Sequence, residues 1–340
     1  MEKIIIAVDA MGGDHAPETI VEGCALALRD AKEISVRLFG QKNAVLPLLD
    51  AFADVKDRIE LIDAPEIISM HDEPMLAVRR KKDSSMVMGL MDVREGRAQA
   101  FVSAGSTGAL LLGGMAYVRM IPGIDRPALA PVLPGLKKPF LLIDSGANAD
   151  CQPKYLMQFG LMGAAFMKHV MGVSDPQVGL VNIGAEAEKG SKLYKEAYQM
   201  MSAQKAYSFA GNCEAREIQK GEFDVTVCDG FTGNVILKYA EGFASVLFTR
   251  LKQTVSASAR GKIGGLLLKP SFSKLKREMN ADEYGGAPLM GVNGTVVKAH
   301  GSSNAYAFSR AVLLARSMAE AKVTDRISEG IQEVQSAADA

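Results

Sequence analysis

The stretch IIIAVDAMGGDHAP, residues 4–17, joins an apolar run of strand length to a glycine-rich turn and the start of a helical segment. Five later apolar runs end in similar loops of glycine and small polar residues, which begin at residues 103, 144, 182, 228 and 298. Glycine lets a ligand approach the backbone closely, and Asp, Asn, Ser and Thr cap the helices that follow. Because the carboxyl ends of parallel strands share one edge of an open sheet, these loops predict one composite site for a small, anionic ligand.

Predicted strands and helices alternate along most of the chain. Strands are predicted at 3–9, 34–39, 58–63, 99–103, 139–144, 177–184, 205–209, 223–228 and 295–300. Helical periodicity is present at 17–30, 84–95, 106–119, 153–171, 189–203, 232–255 and 302–319. This order predicts an α/β fold, a mostly parallel sheet wrapped by helices, in a single domain over residues 1–340. Five prolines make 122–139 the most irregular stretch, where an extended or antiparallel excursion is predicted.

The composition excludes several classes of function. Lys plus Arg (39) equals Asp plus Glu (39), tryptophan is absent and aromatic residues make up 6%, so no nucleic-acid partner is expected. The four cysteines are far apart, which indicates reduced thiols and neither a disulfide framework nor a zinc site. No cluster of metal-ligand motifs is present, so neither a metal nor another cofactor is expected. The opening apolar run is too short for a signal peptide and no run approaches the ~20 residues of a membrane span, so a cytoplasmic protein is predicted.

One segment departs from the alternation of strands and helices. Residues 242–277 carry eight basic residues and no acidic one, and they include the apolar, amphipathic stretch 263–270. A helical hairpin over 242–280 is predicted. Basic charges beside apolar residues suit an anionic membrane surface, and the same patch would also suit an acidic protein. An equally strong interpretation is a solvated hairpin that packs its leucines against a neighbour or a second copy of the chain.

The turn after the first strand is a candidate anion site. Gly12, Gly13, Asp14 and His15 precede a helix, and free amides at a helix start can hold phosphate. The turn matches neither the dinucleotide-binding fingerprint nor the P-loop motif, which weakens a nucleotide-binding interpretation. The alternative is that these glycines only form the turn.

Lys189 is a second candidate for contact with an anion. Lys189 is predicted to open the helix at 189–203, where a cation is unfavourable with the helix dipole, so an anion is expected opposite it. The alternative is a surface lysine that pairs with Glu186 or Glu188. The basic run at 79–82 is typical of a solvated face, and it could also steer an anionic substrate.

Asn234 is the candidate hydrogen-bond donor to a reacting group. It follows Thr232 and Gly233 at the start of a predicted helix, and its side-chain amide can donate to a developing oxyanion. The alternative is an N-terminal cap, a role that Thr232 could fill equally well. His15 and His300 both lie in strand-end loops, where a histidine could shuttle a proton near neutral pH or simply bond to the backbone.

Seven motifs give the chain a specific resemblance that extends over residues 1–320. They are IAVDAMGGDHAP at 6–17, DEPMLAVRRKKDSSM at 72–86, SAGSTGAL at 103–110, GIDRPALAPVLP at 123–134, GNCEAR at 211–216, DGFTGNV at 229–235 and KAHGSS at 298–303. On these motifs the chain resembles the acyl-acyl-carrier-protein:phosphate acyltransferases of bacterial phospholipid synthesis, the PlsX family. One departure is Ser106, where the family commonly has asparagine.

The resemblance implies a reaction in which orthophosphate attacks the thioester of a long-chain acyl-carrier protein, giving acyl phosphate and free carrier. It implies catalytic roles for Lys189 and Asn234. Phosphate is anionic at neutral pH and needs positioning more than deprotonation, which suits loop amides and one lysine. The candidate phosphate-binding residues are Gly12, Gly13, Asp14, His15, Thr232 and Gly233. His300 is the candidate proton shuttle.

The resemblance also implies a fold and a place in the cell. The fold would be a Rossmann-like α/β/α sandwich similar to those of isopropylmalate dehydrogenase and the phosphotransacetylases. The hairpin would attach a homodimer to the anionic inner face of the cell membrane, where a membrane glycerol-3-phosphate acyltransferase consumes the product. The candidate membrane-binding residues are Leu266, Leu267, Leu268, Lys262 and Lys269.

Two other functions are consistent with parts of the sequence. A metal- and NAD-dependent 2-hydroxy-acid dehydrogenase of the same fold group would need a cluster of metal-binding carboxylates, which the sequence lacks. A non-catalytic, membrane-associated scaffold for lipid synthesis would account for the basic hairpin, but it would not require six glycine-rich loops at strand ends.

Overall fold

Continuous apolar runs form most of the strands, as the sequence predicts. A computed structural model describes residues 3–339, except the side chains of residue 281 and residues 337–339. The strands are β1 (Ile4–Asp9), β2 (Ile34–Gly40), β3 (Ile59–Asp63), β4 (Ala100–Ser103), β5 (Ala128–Leu129), β6 (Val132–Leu133), β7 (Phe140–Ile143), β8 (Gln177–Asn182), β9 (Ser208–Glu214), β10 (Val225–Val227), β11 (Ala287–Met290) and β12 (Thr295–Lys298). β4, β7 and β10 are buried along their whole length, as expected for strands that helices cover on both faces.

The helices follow the predicted order with three additions. They are α1 (Glu18–Asp30), α2 (Lys42–Leu49), α3 (Pro74–Arg80), α4 (Ser85–Arg94), α5 (Thr107–Gly113), α6 (Pro153–His169), α7 (Lys192–Ala203), α8 (Gly230–Ser256), α9 (Ala259–Glu278), α10 (Ala305–Glu320) and α11 (Val323–Asp339). The additions are α2, α3 and α11. With 8 and 7 residues, α2 and α3 are shorter than the window in which helical periodicity can be recognised.

The strands divide between two sheets, whereas the sequence predicts one. The first sheet has the order β3-β2-β1-β4-β12-β11-β5, and the second has the order β6-β7-β10-β8-β9. Pairing is parallel except at β11 and β5 in the first sheet and at β6 in the second. The mostly parallel, helix-wrapped α/β fold is therefore confirmed, and the number of sheets is corrected.

The proline-rich stretch 122–139 crosses from one sheet to the other. β5 belongs to the first sheet and β6 to the second, and only Ala130 and Pro131 separate them. Both strands pair antiparallel with their neighbours, as predicted for this excursion. One hydrophobic core contains residues of both sheets, among them Val8, Val102, Leu141 and Val227. The single domain over 1–340 stays a prediction, and its ends at 1–2 and 340 lie outside the described residues.

Helices α8 and α9 form the basic hairpin. α8 runs without interruption from Gly230, so this arm begins well before the predicted start at residue 242. The arms touch where Gly265 lies against Val255, and α9 has no buried residue. Leu266 and Leu267 are 72% and 76% exposed. Within residues 3–339, every helix is too short or too polar to traverse a bilayer.

Candidate active site

A cleft of about 500 Å³ lies between the carboxyl edges of the two sheets. The first edge consists of the loops after β1, β4 and β12, and the second edge consists of the loops after β7 and β10 with the first turns of α8. The polar lining of the cleft includes Asp14, Asn234, Lys298, His300, Ser302 and Ser303. Its apolar lining includes Leu129, Pro131, Val132, Leu133 and Leu237. A cleft lined by both polar and apolar residues suits an amphiphilic ligand.

A buried carboxylate joins the loops of the first edge. Asp9, the last residue of β1, accepts hydrogen bonds from the hydroxyl groups of Ser85 (2.6 Å) and Ser103 (2.7 Å) and from the amide of Met11 (3.0 Å). The amide of Asp14 donates to the carbonyl of Gly301 (2.8 Å), which attaches the β1 loop to the β12 loop. The three loops therefore form one surface.

The predicted glycine turn lies inside this surface. Gly13 has a φ of +109°, and a side chain there would approach Ala104 and Gly301 at 3.1 Å, so only glycine is suited to the position. Within residues 3–339, the amides of Gly12 and Gly13 donate to no protein group, in contrast to the amide of Asp14. Asp14 lines the cleft, whereas Gly12, Gly13 and His15 lie behind or beside it.

Lys298 is a site residue that the sequence analysis overlooks. This last residue of β12 is 8% exposed, and its ammonium group donates to the carbonyls of Ala104 (3.2 Å) and Ala299. Burial lowers the pKa of Lys298 from 10.5 to about 8, although the nearby charges of Asp9 and Asp14 act in the opposite direction. Lys298 opens the KAHGSS motif, but nothing in that motif reveals that the lysine is buried.

The second edge is organised around Asp144. Its carboxylate accepts hydrogen bonds from the amides of Leu129 (3.0 Å), Gly146 (3.2 Å) and Ala147 (3.0 Å) and from the amide and side chain of Asn148 (2.7 and 2.9 Å). Burial raises the pKa of Asp144, and these hydrogen bonds oppose the rise. In the loop after β7, the amides of Gly146, Ala147 and Asn148 therefore bond to the loop's own aspartate and are not available to a ligand.

Asp229 likewise accepts hydrogen bonds from donors at the start of α8. It accepts hydrogen bonds from the amide (2.8 Å) and hydroxyl (2.9 Å) of Thr232 and from the hydroxyl of Tyr194 (2.5 Å). The amide of Gly233 donates to the Asp229 carbonyl (3.0 Å), and the α-carbon of Gly233 lies so close to the carbonyl oxygen of Asp144 that a side chain would collide with it. Thr232 and Gly233 therefore build the helix start, and neither lines the cleft.

Asn234 follows this rigid helix start and reaches the cleft. Its β-carbon lies 3.7 Å from the β-carbon position of Gly146, so the side chain stands beside the β7 loop. The side-chain amide forms no hydrogen bond with the residues that the structure describes, and the helix cap is Asp229. The amide is thus free to donate to a ligand, and the alternative role as a cap is excluded.

Lys189 does not open a helix, which corrects the prediction. α7 begins at Lys192 after the cap Ser191, and Lys189 lies in the exposed loop after β8. The loop is held through the backbone, because the side-chain amide of Asn182 donates to the Lys189 carbonyl (3.1 Å). The helix-dipole argument therefore does not apply to Lys189, and its side chain is absent from the cleft lining.

His300 is exposed at the mouth of the cleft. The Ser302 amide donates to its Nδ1 (3.3 Å), and the Ser302 hydroxyl lies 2.9 Å from the same atom. An acceptor role for Nδ1 leaves the proton of the neutral ring on Nε2.

Cys228 is not a candidate nucleophile. Burial and the charges of neighbouring acids raise the pKa of its thiol well above the ordinary value, so the thiol stays protonated.

Two sheets with a cleft between their carboxyl edges define an α/β protein of the kind that binds small ligands at strand ends. The family model "Fatty acid synthesis protein" matches residues 4–326. The chain is 48% identical over 328 residues to the phosphate acyltransferase of Clostridium botulinum strain Loch Maree, covering 96% of this chain and 98% of the relative. It is 45% identical over 331 residues to that of Clostridium acetobutylicum, covering 97% and 100%. The chain therefore belongs to the phosphate acyltransferase family.

Solved structures support the fold. A phosphotransacetylase from Streptococcus pyogenes superimposes with a TM-score of 0.66 over 94% of each chain, at 16% sequence identity. At this identity the similarity establishes the shared architecture alone. It agrees with the expectation of a Rossmann-like sandwich related to the phosphotransacetylases.

Proposed function

We propose that the chain transfers a long-chain acyl group from the thioester of an acyl-carrier protein to orthophosphate, giving acyl phosphate and free carrier protein. The observation that carries the proposal is the cleft of about 500 Å³ that is lined by both polar and apolar residues. The apolar residues suit the acyl chain, and the first edge, with its glycine-rich loops, suits phosphate. The names of the relatives, phosphate acyltransferase, support the same reaction.

The chemistry requires positioning and charge stabilisation. A phosphate oxygen attacks the thioester carbonyl carbon, and the C–O bond forms as the carbonyl oxygen becomes an oxyanion. The side-chain amide of Asn234 lines the cleft without a partner among the described residues, so it can donate to that oxygen. The C–S bond then breaks, and the carrier thiolate takes up a proton. His300 is the candidate donor of that proton in its imidazolium form, which returns to the neutral ring on donation, because its ring lines the cleft.

Lys189 can take part in catalysis only if its loop moves toward the cleft. Its side chain is exposed and does not line the cleft, so contact with substrate requires a movement of the loop 183–190. The loop has a high proportion of exposed residues and forms no strand or helix, which fits such a movement. Replacement of Lys189 by alanine should reduce turnover and leave the fold intact.

An acidic carrier protein fits a basic surface beside the cleft. Arg79, Arg80 and Lys82 are exposed and have no ion-pair partner within residues 3–339. Arg79 and Arg80 end helix α3, and Lys82 follows it. The helix begins at Pro74, which lies against Gly108 in the first turn of α5, next to the cleft residue Thr107. Positive charges at this position would steer the carrier toward the thioester site.

We further propose that the hairpin binds the anionic inner surface of the membrane and that the chain is a homodimer. Exposed leucines on α9 stand beside Lys262 and Lys269, the arrangement expected of a membrane-surface helix. On α8, exposed apolar residues recur every four positions, and a second copy of the chain would cover them: Phe231, Val235, Tyr239 and Phe243. Acyl phosphate released here would reach a membrane glycerol-3-phosphate acyltransferase for phospholipid synthesis.

The membrane proposal predicts that replacing Leu266, Leu267 and Leu268 by serine releases the protein from anionic liposomes. These side chains are exposed, so the change removes membrane contact without opening a core. Co-sedimentation with vesicles measures the bound fraction. The control is Leu136→Ser, at an exposed leucine outside the hairpin. If the triple variant sediments with vesicles as the parent protein does, the hairpin is not the membrane contact.

The activity is tested with palmitoyl-carrier protein and labelled orthophosphate. The proposal predicts labelled acyl phosphate together with stoichiometric free carrier thiol. An assay without added metal or nucleotide separates this reaction from a dehydrogenase, and product formation in detergent-free solution separates it from a passive scaffold. Absence of acyl phosphate with folded protein would refute the proposed function.

A further inference from the structure

Lys298 is a buried cation without a carboxylate partner. Two buried carboxylates in the described residues form ion pairs, Asp92 with Arg37 and Arg97 and Asp224 with Lys138. The other two, Asp9 and Asp144, accept hydrogen bonds from neutral donors instead. The Lys298 ammonium contacts only the carbonyls of Ala104 and Ala299. The charges of Asp9 and Asp14 lie close enough to favour the ammonium, but burial outweighs them, so an anionic ligand would supply the missing stabilisation.

The geometry leaves one hydrogen-bond donor available. An ammonium group has three N–H donors, and two are directed at the two carbonyls. Lys298 also lines the cleft, on the first edge, beside Asp14 and the β12 loop. The amides of Gly12 and Gly13 have no partner within residues 3–339, but these glycines do not line the cleft. The third donor of Lys298 is therefore the unsatisfied donor that belongs to a residue of the cleft lining.

We propose that Lys298 binds the phosphate substrate directly and that the first edge, through this lysine, selects an oxyanion as the acyl acceptor. The inference rests on the proposed function, because it names the residue that holds the acceptor in that reaction. The two carbonyl contacts fix the position of the ammonium, and phosphate completes its coordination. A charge-assisted hydrogen bond of this kind is stronger than a neutral one.

The first test measures binding of inorganic phosphate by isothermal titration calorimetry, without an acyl donor. Lys298→Met keeps the length of the side chain but removes its charge and donors, and Lys298→Arg keeps the charge. The control, Lys32→Met, makes the same change at an exposed lysine. We expect Lys298→Met to weaken phosphate binding by about tenfold or more, Lys298→Arg to retain most of it, and the control to match the parent protein.

A second test distinguishes direct contact from a structural role. Binding by the parent protein should weaken as the pH rises through about 8, because the Lys298 ammonium then loses its proton. Lys298→Arg stays charged and should lack this alkaline decline, even if its affinity is lower. Both proteins share the other titratable and charged groups of the cleft and its rear wall, which are Asp9, Asp14, Lys238, Glu241, Asp282 and His300.

The outcomes separate this inference from the proposed function. Lys298→Met binding phosphate within twofold of the parent protein would overturn the inference, as would an unchanged alkaline decline in Lys298→Arg. Absence of phosphate binding by the parent protein would overturn it too. If phosphate binds through Lys298 and no acyl phosphate is formed, the proposed function fails and the inference stands. If Lys298→Met does not fold, the pH profile of Lys298→Arg still decides.

Discussion

The two edges of the cleft are similar in sequence and opposite in chemistry. Each edge has a strand that ends in aspartate or is followed by one, and glycine and small polar residues come next. On the second edge, Asp144 and Asp229 accept hydrogen bonds from the amides of their own loops. On the first edge, Asp9 bonds mainly to the serines of neighbouring elements, and the amides of Gly12 and Gly13 are left free among residues 3–339.

This difference assigns different tasks to the edges. A loop whose amides bond to its own aspartate is rigid, and the hydrogen-bond donor that the second edge presents to a ligand is the side chain of Asn234. A loop surface with unsatisfied donors and a buried lysine offers binding energy to an anion. We therefore interpret the second edge as a frame for the oxyanion donor and the first edge as the seat of phosphate.

The largest expected effect comes from breaking the frame. Asp144→Ala leaves four backbone amides and one side-chain amide without their acceptor, so we expect the free energy of unfolding to fall by about 3 to 5 kcal/mol. Urea denaturation measures the change. Asp150→Ala, an exposed aspartate two residues beyond the loop, is the control and should change it by less than about 0.5 kcal/mol. A loss below about 1 kcal/mol for Asp144→Ala would contradict the rigid frame.

The next effect isolates the side chain that the frame presents. Asn234→Ala should lower kcat by about 100-fold or more, because it removes a preorganised donor to the oxyanion. The fold should be unchanged, since this side chain has no hydrogen-bond partner among the described residues and Asp229 caps the helix. Initial rates of acyl phosphate formation measure the loss, and Asn293→Ala at an exposed asparagine is the matched control. Near-normal kcat would remove Asn234 from the mechanism.

The smallest effect concerns the free-energy penalty of burying the charge of Lys298 on the first edge. Lys298 has a folded-state pKa of about 8 and an ordinary value of 10.5, so the folded state binds this proton less tightly than the unfolded chain. Below pH 8 the penalty for the buried charge is fully present, and it disappears as the pH rises toward 10.5. Lys298→Met should therefore exceed the parent protein in stability by up to about 3 kcal/mol at pH 7.

The difference in the free energy of unfolding between Lys298→Met and the parent protein should decrease toward zero as the pH rises from 8 to 10.5. The control Lys32→Met, at an exposed lysine, should show no such trend. A variant that is less stable than the parent protein at pH 7, or a difference that does not vary with pH, would mean that the buried charge carries no cost.

The sequence predicts the strands, their loops and the basic hairpin because each depends on local patterns. It does not predict the division into two sheets, which depends on two-residue strands, Ala128–Leu129 and Val132–Leu133, and on their distant partners. Lys189 is a candidate from sequence because the helix predicted at 189–203 would begin there, yet the helix begins at Lys192. The local sequence therefore predicts the start of this helix three residues too early.

Lys298 illustrates the opposite case. Its hydrogen-bond partner Ala104 lies 194 residues away in the chain, and its burial results from the pairing of β12 with β4 and β11. No local pattern records these contacts. Asn234 and Asp14, in contrast, are found from sequence because the strand, loop and helix that position them are contiguous. The predicted phosphate roles of Thr232 and Gly233 miss the fact that a preceding aspartate, Asp229, already occupies their donors.

The most direct test of the two-edge account is a crystal structure of the protein with bound phosphate. The account predicts a phosphate on the first edge, with an oxygen about 3 Å from the Lys298 Nζ and with the Asn234 side chain facing it across the cleft. A phosphate held by the loops after β7 or β10, with Lys298 uncontacted, would contradict the account.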